Sequence, residues 1–202
     1  MGRVLVGLGN PWPVPRFSRH NLGVRLVEAL AESLGFEWTW HWGCACWIAA
    51  AEDNLVALVW PAVPYNFSGP AVRRALEALG AGPKELTILH DDIDLAPGRS
   101  ASKASGSDGG NRGVRSILAS LGTDRISRLR LGVGRPAGGE RSPAAVAAHV
   151  LSSLEKELLE QWRSAASSGL CSELLGLPPP RRQELPQHRS PIAAAGVCDP
   201  VG

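Results

Sequence analysis

The sequence predicts an α/β fold: a single-domain, three-layer sandwich with a mixed, mostly parallel central sheet flanked by helices. Three observations carry that expectation. Strand-like and helix-like hydrophobic patterns alternate along most of the 202 residues. Three polar clusters follow apolar strand patterns directly, where open α/β sheets place their binding crevices. The composition, 44% hydrophobic and 20% charged, is that of a globular core rather than a disordered chain.

Val4 to Leu8 is a buried-strand pattern that ends in the turn signal Gly7-Leu8-Gly9-Asn10-Pro11. Leu26, Val27, Leu30 and Leu34 share one helical face over residues 22–34, and Gly35 supplies the stop. Trp47 to Ala51 and Leu55 to Trp60 flank Glu52-Asp53-Asn54 as a hairpin. Ser68-Gly69-Pro70 opens a second helix, with Val72, Ala75, Leu76 and Leu79 inward. Leu86 to Leu89 is a short strand running into His90-Asp91-Asp92. A Gly- and Ser-rich loop spans Gly98 to Gly113, followed by a helix carrying Val114, Ile117, Leu118 and Leu121 and by a strand from Arg128 to Val133. Residues 143–151 and 153–168 read as two further helices. From Leu177 on, six of 26 residues are Pro and periodicity disappears, so the expected division is a domain over 1–176 and a disordered tail over 177–202.

Several classes are excluded or disfavoured. No run of about 18 apolar residues exists, which argues against a membrane span. The strand pattern starts at Val4 with no leader before it, so a cytoplasmic protein is expected. Cys44, Cys46, Cys171 and Cys198 lack the spaced His and Cys partners of a metal site, and a structural, reduced role is expected for the first pair. Trp38, Trp40 and Trp42 alternate as on a strand. Packing on a sheet face is favoured over base stacking, because Trp is highly buried on average.

The polar clusters are Asn10 with Arg19-His20-Asn21, then Tyr65-Asn66-Phe67-Ser68-Gly69, then His90-Asp91-Asp92-Ile93-Asp94. A His and an Asp delivered by different strand ends can form a base and its orienter, worth ~10²–10⁴-fold in rate. Asn side chains, carrying both donor and acceptor, can hold a carbonyl substrate or a water. Against this stands the ordinary use of such residues as loop caps.

Charge placement adds a second theme. The net charge is only +2, from 21 basic and 19 acidic side chains, and 18 of the basic residues are Arg. Between Leu95 and Arg135, however, eight basic residues (Arg99, Lys103, Arg112, Arg115, Arg125, Arg128, Arg130, Arg135) face only Asp108 and Asp124, a local net of +6. Beside a glycine-rich loop that leads into a helix N-terminus, such clustering suits phosphate contact. A solvated face balanced by the acidic remainder is the alternative.

Taken together and in order, these segments resemble the bacterial-type peptidyl-tRNA hydrolase family. The similarity runs through Val6-Gly7-Leu8-Gly9-Asn10-Pro11 and Ser18-Arg19-His20-Asn21-Leu22-Gly23. It continues through Pro61 to Gly69, His90 to Leu95, the loop ending Gly113-Val114-Arg115, and Arg128 to Pro136. The resemblance covers residues 3–170. It implies hydrolysis of the ester between a peptide or N-blocked amino acid and the 3′ ribose of tRNA, which recycles tRNA from drop-off peptidyl-tRNA. By motif position, His20 would be the base on water and Asp91 its orienting carboxylate. Asn10 and Asn66 would position substrate and water, and Lys103 and Arg130 would grip the tRNA 5′-phosphate end. The family is metal-free and needs no cofactor, and a monomer is expected.

The chain also departs from the family pattern. Trp12 and Pro15 replace a Gly and a Tyr, and Tyr65 replaces a Met, making a bulkier and more polar wall for the peptide site. Asn111 and Arg112 stand where the family has His and Asn. Either Asn111 substitutes for that Asn by a one-residue shift, or Arg112 fills the slot with a cation. Hydrolysis with a reduced rate or shifted preference is the expectation. A non-catalytic RNA-binding protein on the same scaffold competes with it, as does a different small esterase or amidase using His20 and Asp91.

Overall fold

The computed structural model describes residues 2–51 and 55–168. In chain order the first half supplies β1 (Arg3–Gly7), α1 (Leu22–Leu34), β2 (Thr39–His41), β3 (Cys46–Ala50), β4 (Val56–Pro61) and α2 (Ser68–Leu79). The second half supplies β5 (Leu86–Asp92), β6 (Ser100–Lys103), α3 (Arg112–Leu121), β7 (Ser127–Gly132), α4 (Pro143–Leu151) and α5 (Lys156–Ser168). The seven strands form one sheet in the order β2-β3-β4-β1-β5-β7-β6. The four inner strands β4, β1, β5 and β7 run parallel, while β2, β3 and β6 extend the sheet antiparallel at its two sides.

This order follows from hydrophobicity. The runs Val4-Leu5-Val6 and Ala57-Leu58-Val59 are buried on both faces, as inner parallel strands require. Leu5, Leu58, Leu89 and Leu131 point to the face covered by α1 and α5. Val4, Val6, Val59 and Ile88 point to the face covered by α2 and α3. Each large side chain buried this way contributes roughly 1.5–3 kcal/mol before entropy is counted. The result is the three-layer α/β sandwich expected from the alternating pattern.

Local signals also act where the sequence placed them. α1 ends at Gly35, whose φ of 70° closes the helix in a left-handed cap. Near its start, α1 approaches β5 at Gly23, where any Cβ would collide with the Leu89 carbonyl oxygen. β3 and β4 pair antiparallel from Cys46↔Pro61 to Ala50↔Ala57, as the hairpin expectation required, although Glu52, Asp53 and Asn54 lie outside the described residues. Cys44 and Cys46 are free and buried in the α2/α3 layer, and burial pushes the Cys46 thiol above its ordinary range.

Three features differ from the sequence reading. The Gly98–Gly113 loop contains the edge strand β6, which no apolar run announces. β5 does not stop at Leu89 but carries His90, Asp91 and Asp92 within the strand. Trp40 packs against Trp47 and meets Trp42 edge-on with centroids 5.5 Å apart, but Trp42 sits in the following turn and is 86% exposed, so the contact leaves it uncovered. Cys171, Cys198 and the Pro-rich segment 177–202 fall outside the described residues.

Candidate active site

The parallel strands deliver their C-terminal ends to one end of the sheet. β1 leads into Leu8-Gly9-Asn10, β4 leads to the 3₁₀ turn Tyr65–Phe67, and β5 ends in His90-Asp91-Asp92. His20 comes from a second 3₁₀ turn, Arg19–Asn21, which runs directly into α1.

Asn21 builds that turn. Its buried side chain accepts from the Asn10 backbone N–H at 2.7 Å and donates to the Pro15 carbonyl at 3.1 Å, which closes the loop between β1 and α1. Asn10 in turn accepts through Oδ1 from the Tyr65 backbone N–H at 2.8 Å, fastening the β1 end to the Tyr65 turn. On its other side the His20 turn is held by the α4–α5 connection. The Arg19 guanidinium donates to Ser152 Oγ at 2.5 Å and to the Ser153 carbonyl at 2.6 Å, and it pairs with Glu155. α4 is itself pinned by His149, whose Nε2 donates to the Gly134 carbonyl at 2.9 Å.

His20 and Asp91 meet at 2.9 Å between Nδ1 and Oδ1. With the carboxylate ionised, Nδ1–H donates and Nε2 is left as the acceptor. The imidazole side chain is 17% exposed and the carboxylate 4%. Among the described residues no hydrogen bond engages Nε2, and none joins the ring to a Ser, Thr or Cys side chain. Burial pushes the Asp91 carboxyl up, but the charge of His20 and hydrogen bonds from His20 and Tyr65 outweigh it and hold it below the usual carboxylate range.

The remaining expected residues divide. Asn111 caps α3 by accepting from the Val114 N–H at 3.0 Å, a cap worth ~1 kcal/mol, and its Nδ2 donates to the Tyr65 hydroxyl at 3.0 Å. Arg112, the first residue of α3, is exposed instead. It is Asn111, not Arg112, that joins the hydrogen-bonded network around Tyr65. Tyr65 is 2% exposed, so it lies beneath the crevice rather than lining an open wall. Asn66 is exposed on the same turn, outside the hydrogen-bonded network.

Lys103 and Arg130 sit two register pairs apart on β6 and β7. Lys103 lies opposite Arg128, and Ala101 opposite Arg130. Lys103 and Arg130 are both partly exposed. Arg130 Nε donates to Asp92 Oδ2 at 2.7 Å, and Lys103 Nζ to the Ser107 carbonyl at 3.2 Å. Arg128, counted from sequence as part of the basic surface, is buried and donates to the Gly106 and Ser107 carbonyls, each at 2.7 Å. It fastens the glycine-rich loop. That loop's N–H groups are also less free than the glycines suggest, because those of Gly106, Gly110, Asn111 and Val114 already donate within the chain. The side chains, more than the loop backbone, are what remains for phosphate.

Sequence reasoning overlooked Asn21, Arg19 and Gly113. Asn21 stood beside His20 in the motif, but nothing local marked it as the loop's organiser. Gly113 matters because a Cβ there would collide with the Tyr65 ring. Among the described residues no group of three His, Cys, Asp or Glu side chains gathers as a metal ligand set, and no helix is long and apolar enough to cross a membrane.

An imidazole oriented by a buried carboxylate at the strand ends of an α/β sandwich has the arrangement of a general acid–base site in an α/β enzyme. The sequence model of the peptidyl-tRNA hydrolase family matches residues 4–173. The chain belongs to that family. The peptidyl-tRNA hydrolase of Symbiobacterium thermophilum is 42% identical over 149 residues, 69% of this chain and 75% of the relative. That of a Synechococcus species is 40% identical over 159 residues, 76% and 77% of the two chains. The crystal structure of peptidyl-tRNA hydrolase from Acinetobacter baumannii superposes with a TM-score of 0.76 at 28% identity, covering 87% of this chain and 89% of that one. Neither the RNA-binding-only reading nor an unrelated esterase is favoured by these relatives.

Proposed function

We propose that this chain hydrolyses the ester between a peptide, or an N-blocked amino acid, and the 3′ ribose of tRNA, returning tRNA from drop-off peptidyl-tRNA. His20 Nε2 takes a proton from water, the oxygen attacks the ester carbonyl, and the tetrahedral species collapses as the imidazolium returns the proton to the departing 3′ oxygen. Asp91 fixes the Nδ1–H tautomer and stabilises the imidazolium. Asn10 and Asn66 position substrate and water, Tyr65 and Asn111 shape the floor of the site, and Arg112 meets substrate at its rim. Lys103 and Arg130 hold the 5′-phosphate end of the tRNA. No metal or cofactor enters this scheme.

The observation that carries the reading is the 2.9 Å His20–Asp91 contact with the imidazole partly open to the crevice. The test is peptide release from a peptidyl-tRNA by purified protein against His20→Ala. The variant should lose at least ~10²-fold in rate. Equal release by both proteins overturns the proposal.

We also take residues 1–176 as the hydrolase domain and 177–202 as an appendage, supported by a family match that ends at residue 173. The working form is a monomer in the cytoplasm, where peptidyl-tRNA arises. A dimer at working concentration by light scattering would overturn the first part.

A further inference from the structure

Asp91 receives two hydrogen bonds on the same oxygen. His20 Nδ1 reaches Oδ1 at 2.9 Å, and the Tyr65 hydroxyl reaches that same Oδ1 at 2.8 Å. The Tyr65 ring also lies flat beneath the His20 imidazole, with centroids 3.6 Å apart and planes 16° from parallel. Gly113 lies against the Cδ1–Cε1 edge of the same ring, where an added Cβ would come within 2.3 Å of Cε1. Asn111 Nδ2 donates to the Tyr65 oxygen at 3.0 Å and thereby turns the hydroxyl proton toward Asp91. An ordered chain results: Asn111 to Tyr65 to Asp91, with His20 arriving at the same carboxylate from the other side.

We propose that Tyr65 is a positioning residue of the hydrolytic reaction, which shares the Asp91 carboxylate with His20 and so sets the pH at which His20 acts as base. This rests on the reading of His20 as the base on water. The physical reason is competition. A hydroxyl donating to Oδ1 takes up part of the negative charge that would otherwise face the His20 imidazolium alone. The ring adds a second constraint, because the stack holds the imidazole plane and keeps Nε2 facing the crevice. Burial, and next the negative charge of Asp91, push the Tyr65 hydroxyl well above its ordinary range, so it remains a donor throughout the working pH range.

The surroundings leave few other groups to set this balance. From β5, His90 donates through Nδ1 to the Asp91 carbonyl at 2.8 Å and is held toward its neutral form by burial, and Asp92 is paired with Arg130. From the His20 turn, Arg19 is drawn onto Glu155. From α4, His149 is committed to the Gly134 carbonyl. From α1, Arg25 pairs with Glu28 at 2.5 Å.

The experiment is an NMR titration of the His20 imidazole in the full chain, alongside the pH profile of kcat/KM on peptidyl-tRNA, for wild type and Tyr65→Phe. The variant keeps the ring and stack and loses only the hydroxyl. Both midpoints should move up by about one pH unit. Asn111→Ser keeps the α3 cap and removes the donor to Tyr65, so it should move them the same way by less. It also supplies the test if Tyr65→Phe does not fold. An unchanged His20 midpoint in whichever variant folds overturns the inference, whatever the rate does. Undiminished hydrolysis by His20→Ala overturns the functional reading instead, while the His20 titration still decides whether Tyr65 and His20 compete for Asp91.

Discussion

Arg130 donates through Nε to Asp92 at 2.7 Å, so a basic side chain on the proposed phosphate-gripping face is already paired before any RNA arrives. Binding a phosphate there means releasing or sharing that carboxylate. Arg130→Ala should lower the slope of log affinity against log salt for tRNA by about one. Asp92→Asn should tighten binding, since it frees the guanidinium. Fluorescence titrations of tRNA across a salt series check both, and an unchanged slope in Arg130→Ala refutes the contact.

Arg128 provides the contrast. It lies on the same strand face, yet it is 2% exposed and committed to the Gly106 and Ser107 carbonyls. Arg128→Met should leave the salt slope unaltered while destabilising the fold by about 1–3 kcal/mol through two orphaned carbonyls. Denaturant unfolding together with the same titrations separates the two arginines. A slope change in Arg128→Met would show that this side chain reaches RNA after all.

Asp91 ties stability to acid. Its carboxyl lies below the ordinary value in the folded chain, because His20 and Tyr65 outweigh the effect of burial. Its contribution is therefore complete above the unfolded value of about 3.9 and is lost as pH falls through the lower folded value. Asp91→Asn should remove that part of the acid destabilisation and cost at least ~10²-fold in hydrolysis at neutral pH. Parallel stability curves for wild type and variant below pH ~4 would contradict the assignment.

Gly113→Ala tests the packing under the site. A methyl group there collides with Tyr65, which is buried and stacked on His20. We expect a loss of about 1–3 kcal/mol and a fall in kcat larger than any change in KM. A fully active, fully stable variant would mean that Tyr65 has room to shift.

Much of this architecture was legible because hydrophobic period is a local property. The α1, α2 and α3 faces and the inner strands could each be read from their own residues, and so could the strand-end placement of Asp91, whereas His20 comes from the 3₁₀ turn before α1. What escaped depends on neighbours distant in sequence. β6, with the sequence Ser-Ala-Ser-Lys, has no apolar run and exists because β7 offers it an edge. Arg128 reads as a surface cation, since charged groups rarely bury, and only the carbonyls of a loop some twenty residues earlier explain it. Tyr65 reads as a wall of the pocket until Gly113, from another helix, is seen to make room beneath the imidazole. Asn111 was visible as an alternative to Arg112, and the capping geometry of α3 turns its amide toward Tyr65.

β5 ends on two adjacent carboxylates, Asp91 turned to His20 and Asp92 turned to Arg130. Consecutive residues of a strand face opposite ways and stand roughly 3.3 Å apart along it. The pleat of one strand therefore turns two like groups to separate partners, an imidazole and a guanidinium, with no insulating residue between them. A slip of β5 by one position would exchange the two assignments. The Val4↔Leu86 to Gly7↔Leu89 pairing with β1 is thus as much a part of the chemistry as either acid.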